Sequence, residues 1–131
     1  MAAEHPITHL DTDDLVTLAA ALLGNPPPIR DMGLLSAAAA RPGATAFGND
    51  AYPDLWSKAA ALMHSIVMGH ALVDGNKRLG WLATAVFLDL NGVDATAAPN
   101  DGVYDLDMRV AATDVEVADI ADALRTMIER R

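Results

Sequence analysis

An all-α architecture follows from three features of the sequence. Apolar residues recur at helical spacing in successive segments, cap and stop residues bracket those segments, and no convincing strand run lies between them. With 131 residues, 52% hydrophobic and 21% charged, the chain is expected to be one domain spanning 1–131, a compact helical bundle around a single core. No internal repeat and no linker divides it. Aromatics make up only 5%, so Ala, Leu, Val and Met must fill the interior.

The first helix lies in LDTDDLVTLAAALLGN, where Asp or Thr can cap the start, acids occupy the first turn and Gly24 is the stop. NPPPIRD breaks it. DMGLLSAAAARPG then supplies a short Ala/Leu helix that ends before Pro42, because a proline ring disfavours helical backbone in the residue before it. Residues 43–52, GATAFGNDAY, hold turn formers without a period, which predicts a loop or short hairpin and a candidate flap. Pro53 suits the first position of the helix PDLWSKAAALMHSIVMG, whose Leu55, Ala59, Leu62, Ile66 and Met68 fall mostly on one side.

Residues 76–90, NKRLGWLATAVFLDL, are apolar almost all round and end at Asn91-Gly92, so this helix is expected at the centre of the bundle. A short extended piece is expected over 93–97. Two further helices follow in DGVYDLDMRVAA and TDVEVADIADALRTMIERR, the second opened by a Thr113-x-x-Glu116 capping box.

Composition narrows the function classes. A formal net charge of −9 and the absence of cysteine argue against broad contact with nucleic acid and against thiolate metal sites. The N-terminal residues are acidic and His-bearing rather than basic then apolar, and every apolar run is interrupted well short of a membrane span. A soluble, cytoplasmic protein with no membrane partner is expected.

Against this acidic background, GHALVDGNKRLGW places Lys77 and Arg78 in the first turn of a helix. The helix dipole repels cations there, at a cost of roughly 0.3–1 kcal/mol each. A bound phosphate reverses the sign. Free backbone N–H groups, the dipole and both cationic side chains then converge on one anion, and Gly75 lets the backbone approach it without a Cβ in the way. His70 can take a proton from a hydroxyl, and Asp74 offers a hard oxygen to Mg²⁺, which takes few protein carboxylates and draws other ligands from phosphate and water. The set suits transfer of a phosphoryl or nucleotidyl group to a hydroxyl. Taken singly, His70 reads equally as a histidine at a helix end and Asp74 as a cap of the next helix. The G-x4-G-K-[ST] spacing of a Walker A loop is absent.

HALVDGNKR resembles the Fic/Doc motif H-x-F-x-[DE]-G-N-[GK]-R, in the Lys form typical of the Doc (death on curing) toxins. RDMGLLSAAAARP, FGNDAYPDLWSKAAALMHSI, VFLDLNGV and AATDVEVADIADALR are similar to the flanking segments of Doc-like proteins, so the likeness covers most of the chain. It implies a Fic-fold helical bundle that forms the toxin half of a toxin–antitoxin pair and transfers the ATP γ-phosphate to a threonine of elongation factor Tu. Carried over by position, His70 is the base, Asp74 the Mg²⁺ ligand, and Gly75, Asn76, Lys77 and Arg78 hold the ATP phosphates, with Lys77 also serving catalysis.

Departures from the family pattern keep alternatives open. Lys77 and Trp81 stand where adenylylating relatives have Gly and a second Arg, which favours phosphoryl over adenylyl transfer. Leu72 replaces a usual Phe, Ala71 a frequent Pro and Leu79 a frequent Thr. These changes leave room for a degenerate module that only binds a nucleotide or partner. No S/T-x-x-x-E-[GN] inhibitory motif is present, so control in trans is expected, by an antitoxin helix lying in an apolar groove.

Other residues are read more plainly. His64 is expected in the core or a groove, Arg30 and Asp31 at a helix start as an ion pair or a ligand contact, and His5 and His9 in a frayed terminus. Met63 and Met68 are core filler, and the acids at 101, 105 and 107 form a solvated face.

Overall fold

The computed structural model describes residues 6–112 and 115–129. Six helices carry the fold: α1 Thr12–Leu23, α2 Met32–Ala40, α3 Leu55–Gly69, α4 Asn76–Leu90, α5 Asn100–Ala112 and α6 Val117–Glu129. Short 3₁₀ turns cover Arg41–Gly43 and Ala95–Ala97. The only strands among the described residues are β1 Thr45–Ala46 and β2 Asn49–Asp50, an antiparallel hairpin. The all-α reading holds, and the 43–52 segment takes the hairpin form.

Local chemistry sets the boundaries. Asp11 caps α1 by accepting from the Asp14 N–H at 2.8 Å while Asp14 accepts from the Asp11 N–H at 2.9 Å, and Asp31 caps α2 through the Leu34 N–H. Pro53 does not open α3. Asp54 accepts from the Ser57 N–H at 2.7 Å and the Ser57 hydroxyl accepts from the Asp54 N–H at 3.2 Å, so this reciprocal cap satisfies two donors and moves the start to Leu55. The expected extended piece at 93–97 is instead the 3₁₀ turn, because Asp94 Oδ1 accepts from both the N–H and the hydroxyl of Thr96. Thr113, the first residue of the expected capping box on α6, lies outside the described residues; the Ile120 N–H of α6 bonds the Glu116 carbonyl.

The centre is shared rather than held by α4 alone. α3 packs against α2, α4, α5 and α6, whereas α4 packs against α1, α3 and α5 and leaves Lys77, Arg78, Asp89 and Leu90 exposed. Gly80 explains the close crossing of the two: a Cβ there would stand 2.6 Å from Val67 Cγ2. Next to it the buried Thr84 hydroxyl is satisfied within the helix, donating to the Gly80 carbonyl at 2.6 Å. Leu62, Met63, Ile66, Leu79, Phe87, Ile120 and Leu124 fill the core, so Met63 is filler as expected.

The hairpin is tied down by a buried cation. Lys58 is 4% exposed and donates to the Tyr52 carbonyl at 2.6 Å and to Asp50 at 3.2 Å. Phe47 and Gly48 both have positive φ at the tip, as the right-handed twist of a tight hairpin requires, and Phe47 is fully exposed. His9 is ordered rather than frayed: its ring lies 5.9 Å from the Phe87 ring, and burial lowers its pKa. His5 lies outside the described residues.

Candidate active site

α3 ends and α4 begins around one tight loop. His70 terminates α3 in the left-handed conformation, φ 54° and ψ 44°, and its side chain is exposed. Such a conformation is uncommon for a residue with a Cβ, and here Arg30 holds it. The Arg30 guanidinium donates to the His70 carbonyl through Nε at 3.1 Å and through Nη2. The Arg30 and Asp31 N–H groups both donate to the Ala71 carbonyl, the Val73 N–H donates to the Pro28 carbonyl, and Ile29 bridges Leu72. The loop is therefore anchored to the 28–31 strap. Arg30 and Asp31 are not an ion pair: one clasps the loop and the other caps α2.

From the other side Asn76 closes the turn. Its Oδ1 accepts from the Leu72 N–H and its Nδ2 donates to the Leu72 carbonyl, both at 3.0 Å. The Asn76 side chain is thus committed to loop shape, and what it offers an anion is its backbone N–H. Gly75 precedes the helix with φ 89°, a left-handed backbone that favours glycine, and a Cβ there would lie 2.7 Å from the terminal methyls of Leu23, which would have to shift.

No side chain caps α4. Asp74, a cap in the plainer reading, points to solvent, 89% exposed, and its nearest cation is Arg78 at 3.9 Å. The first N–H groups of α4 have no carbonyl within the helix. They face a cleft of about 300 Å³ lined by His70, Asp74, Gly75, Asn76, Lys77 and Arg78. The structure gathers every residue singled out from the loop into one place. The three departures from the family pattern, Ala71, Leu72 and Leu79, are all buried and none lines the cleft; they alter packing beneath the site, not its chemical groups.

The acids of α5 divide. Asp101 and Asp105 are solvated, but Asp107 is 9% exposed and its Oδ1 has no hydrogen-bond partner. Burial pushes its carboxyl up to about 7, while the Lys77 ammonium pulls the other way. The signal was in the sequence: Asp107 sits four residues after Val103 and three before Val110, inside the apolar stripe.

His64 lines a groove of about 590 Å³ between α2 and α3, with Leu34, Ala37, Arg41 and Met68. Arg41 Nη1 lies 2.7 Å from His64 Nδ1, and the same guanidinium donates to Ser65 and Tyr52. Met68 belongs to this groove, not to the core. Among the described residues no cluster of three His, Cys, Asp or Glu could hold a metal unaided, and no helix is long and apolar enough to cross a membrane.

Comparison with known proteins agrees with this geometry. The Fic/DOC family model matches residues 9–88, which include the whole loop. The chain is 48% identical over 117 residues to Toxin Doc of Mycolicibacterium smegmatis (strain ATCC 700084 / mc(2)155), an alignment covering 88% of this chain and 90% of that protein. The chain belongs to the Fic/Doc family.

Proposed function

We propose that the chain is a Doc-like toxin that transfers the γ-phosphate of ATP to a hydroxyl of a protein target. The observation that carries this reading is the start of α4: uncapped, flanked by Lys77 and Arg78, and sharing one cleft with His70 and Asp74. In an acidic chain such an arrangement is unfavourable until an anion occupies it.

Each residue then has a task. The N–H groups of residues 76–78 and the Lys77 and Arg78 side chains hold the phosphates and take up charge that develops on their oxygens. Asp74, exposed and only loosely paired, suits Mg²⁺, which neutralises phosphate charge when bound. The His70 imidazole accepts the proton of the target hydroxyl as that oxygen bonds to the γ-phosphorus; the bond from phosphorus to the bridging oxygen breaks and ADP leaves. Arg30 keeps the His70 backbone in the turn that aims the ring at the cleft.

The resemblance supplies the target class, a threonine or serine of a translation protein, with elongation factor Tu as the candidate and the cytoplasm as the place of action. Its relative's name supports a toxin with an antitoxin partner. The α2–α3 groove, with Leu34, Ala37 and Met68 on its walls, suits an amphipathic helix of that partner. Adenylyl transfer is the competing chemistry, and Trp81 in place of a second Arg speaks against it.

Parallel incubation with γ-³²P and α-³²P ATP in a lysate containing elongation factor Tu tests the reading. Phosphoryl transfer marks the target with the γ label alone, and α labelling would establish adenylyl transfer instead. His70→Ala should lower labelling by about 10²–10⁴-fold with an unchanged melting temperature. Full labelling by the well-folded variant would remove His70 from the chemistry, and labelling by neither nucleotide would favour a module that only binds.

A further inference from the structure

Besides Lys58, a second cation holds the β1–β2 hairpin at its base. Arg41 opens the 3₁₀ turn that leads into the hairpin and is half-buried, as are His64, Ser65 and Tyr52. Its Nε donates to the Tyr52 hydroxyl at 2.9 Å, its Nη1 donates to the Ser65 hydroxyl at 3.0 Å, and the same Nη1 lies 2.7 Å from His64 Nδ1. One side chain therefore joins the entry of the hairpin, its exit at Tyr52 and the body of α3.

A guanidinium carries donors only and stays protonated. At 2.7 Å the His64 Nδ1 must then accept, which makes the imidazole neutral with its proton on Nε2. A second proton would go to Nδ1. Two N–H groups would then meet head to head, and two positive charges would stand in contact. Arg41 is the charged group that faces the ring from the turn. Tyr52, and Asp50 through Lys58, stand on the hairpin side, and the α2 wall of the groove, Leu34, Ala37 and Ala38, holds nothing that titrates. Among the described residues no charged side chain of α4, α5 or α6 lines this groove. His9 flanks the far end of the turn, its ring 3.6 Å from where a Gly43 Cβ would stand; burial and then Lys58 lower its pKa, with Asp50 opposing.

We propose that Arg41 and His64 form a proton-sensitive clasp: a neutral imidazole pins the hairpin to α3, and protonation of His64 frees Arg41 and opens the hairpin. The groove between α2 and α3 feels the change, because Ala44 at the foot of the hairpin and Gly69, next to His70, both line it. Acid thus alters the approach to the candidate site without touching the phosphate loop. The clasp stands apart from the phosphotransferase reading.

The sign follows from proton counting. The closed hairpin leaves Nδ1 unprotonated, and the open one takes up a proton as an ordinary histidine does, near pH 6.5. Closure is therefore fully supported above that pH and weakens below it, by about tenfold in the closed-to-open ratio per pH unit, the slope of one proton.

Amide hydrogen exchange of the ¹⁵N-labelled chain, corrected for its intrinsic pH dependence and followed from about pH 7.5 to about pH 5 across the histidine range, tests the clasp. The reporter is the Ala51 N–H, which donates to the Ala44 carbonyl at 2.9 Å across the hairpin base, because local opening sets such protection. The Val93 N–H, bonded to the Leu88 carbonyl, is the internal reference, and melting curves show that each variant is folded. In the natural chain Ala51 protection should fall about tenfold per unit below about pH 6.5, with Val93 steady. His64→Asn places an amide oxygen near Nδ1 that accepts from Arg41 and cannot take a proton, so Ala51 should stay protected throughout. Arg41→Met should lower Ala51 protection at every pH and remove the slope. An unprotected or pH-independent Ala51 in the natural chain would overturn the proposal. So would a slope that survives His64→Asn, one that His9→Asn removes instead, or full protection in Arg41→Met.

Discussion

The two ends of α4 are finished in opposite ways. At its C-terminus Asn91 leaves little unsatisfied: its Nδ2 donates to the Phe87 carbonyl at 2.8 Å and the Thr8 carbonyl at 2.9 Å, its Oδ1 accepts from the Thr8 N–H at 2.9 Å, and the Val93 N–H returns to the Leu88 carbonyl. At its N-terminus Gly75 brings no side chain, Asn76 turns its amide back to Leu72, and two cations stand in the first turn. α1, α2 and α3 all start with an Asp that accepts from the third residue beyond it. The chain caps three helices consistently and leaves the fourth open, as the proposed phosphate site requires. An end closed by its own residues maintains the fold, and an open one keeps N–H groups free for an anion.

Gly75→Ala is the severest local challenge to the open end. It forces a Cβ into left-handed backbone and against Leu23 at 2.7 Å, with an expected cost of about 2–4 kcal/mol in denaturant unfolding. Adding Leu23→Ala should recover the part due to the clash and leave the part due to φ. Equal stability of Gly75→Ala and the natural chain would show that the loop has no need of this geometry.

Asn91→Ala attacks the closed end. Loss of its three side-chain hydrogen bonds should cost about 1–3 kcal/mol, with nucleotide affinity unchanged once the protein is folded. A fall in affinity comparable to that of Arg78→Ala would erase the distinction between the ends.

A smaller effect concerns pH. The folded chain holds a proton on Asp107 up to about 7, against 3.8 for an ordinary Asp, so between those values the native state binds more protons than the unfolded one. The stability this contributes is complete below about 3.8 and is lost as pH rises through about 7. Asp107→Asn should therefore flatten the decline of melting temperature with rising pH across that window. An unchanged slope would place the carboxyl in water.

Much of this was legible from the residues. Helix periodicity and the Asn91-Gly92 stop locate α4 at Asn76–Leu90 without adjustment, and Lys77 and Arg78 mark the open end because cations are unfavourable there. What sequence reasoning missed depends on partners distant in the chain. Arg30 looks like half of a local ion pair until the strap brings it to the His70 carbonyl, forty residues away. Nothing local to Lys58 on α3 signals that the hairpin folds over it and supplies carbonyls. Pro53 yields its place to Asp54 because a reciprocal cap outweighs a preset φ. Asp107 follows Asp101 and Asp105 in a run that looks solvated, and only its register with Val103 and Val110 hints that α5 turns it inward.

In the proposed function the unpaired donors at the start of α4 hold the phosphates of a nucleotide. Titration of ¹⁵N-labelled chain with Mg²⁺–ATP, followed by amide resonances, tests it most directly. Saturable shifts are expected at the Asn76, Lys77 and Arg78 N–H groups, abolished by the double substitution Lys77→Ala and Arg78→Ala, with Asn91, Gly92 and Val93 unmoved. Saturable binding that left residues 76–78 unshifted, or no binding at all, would contradict it.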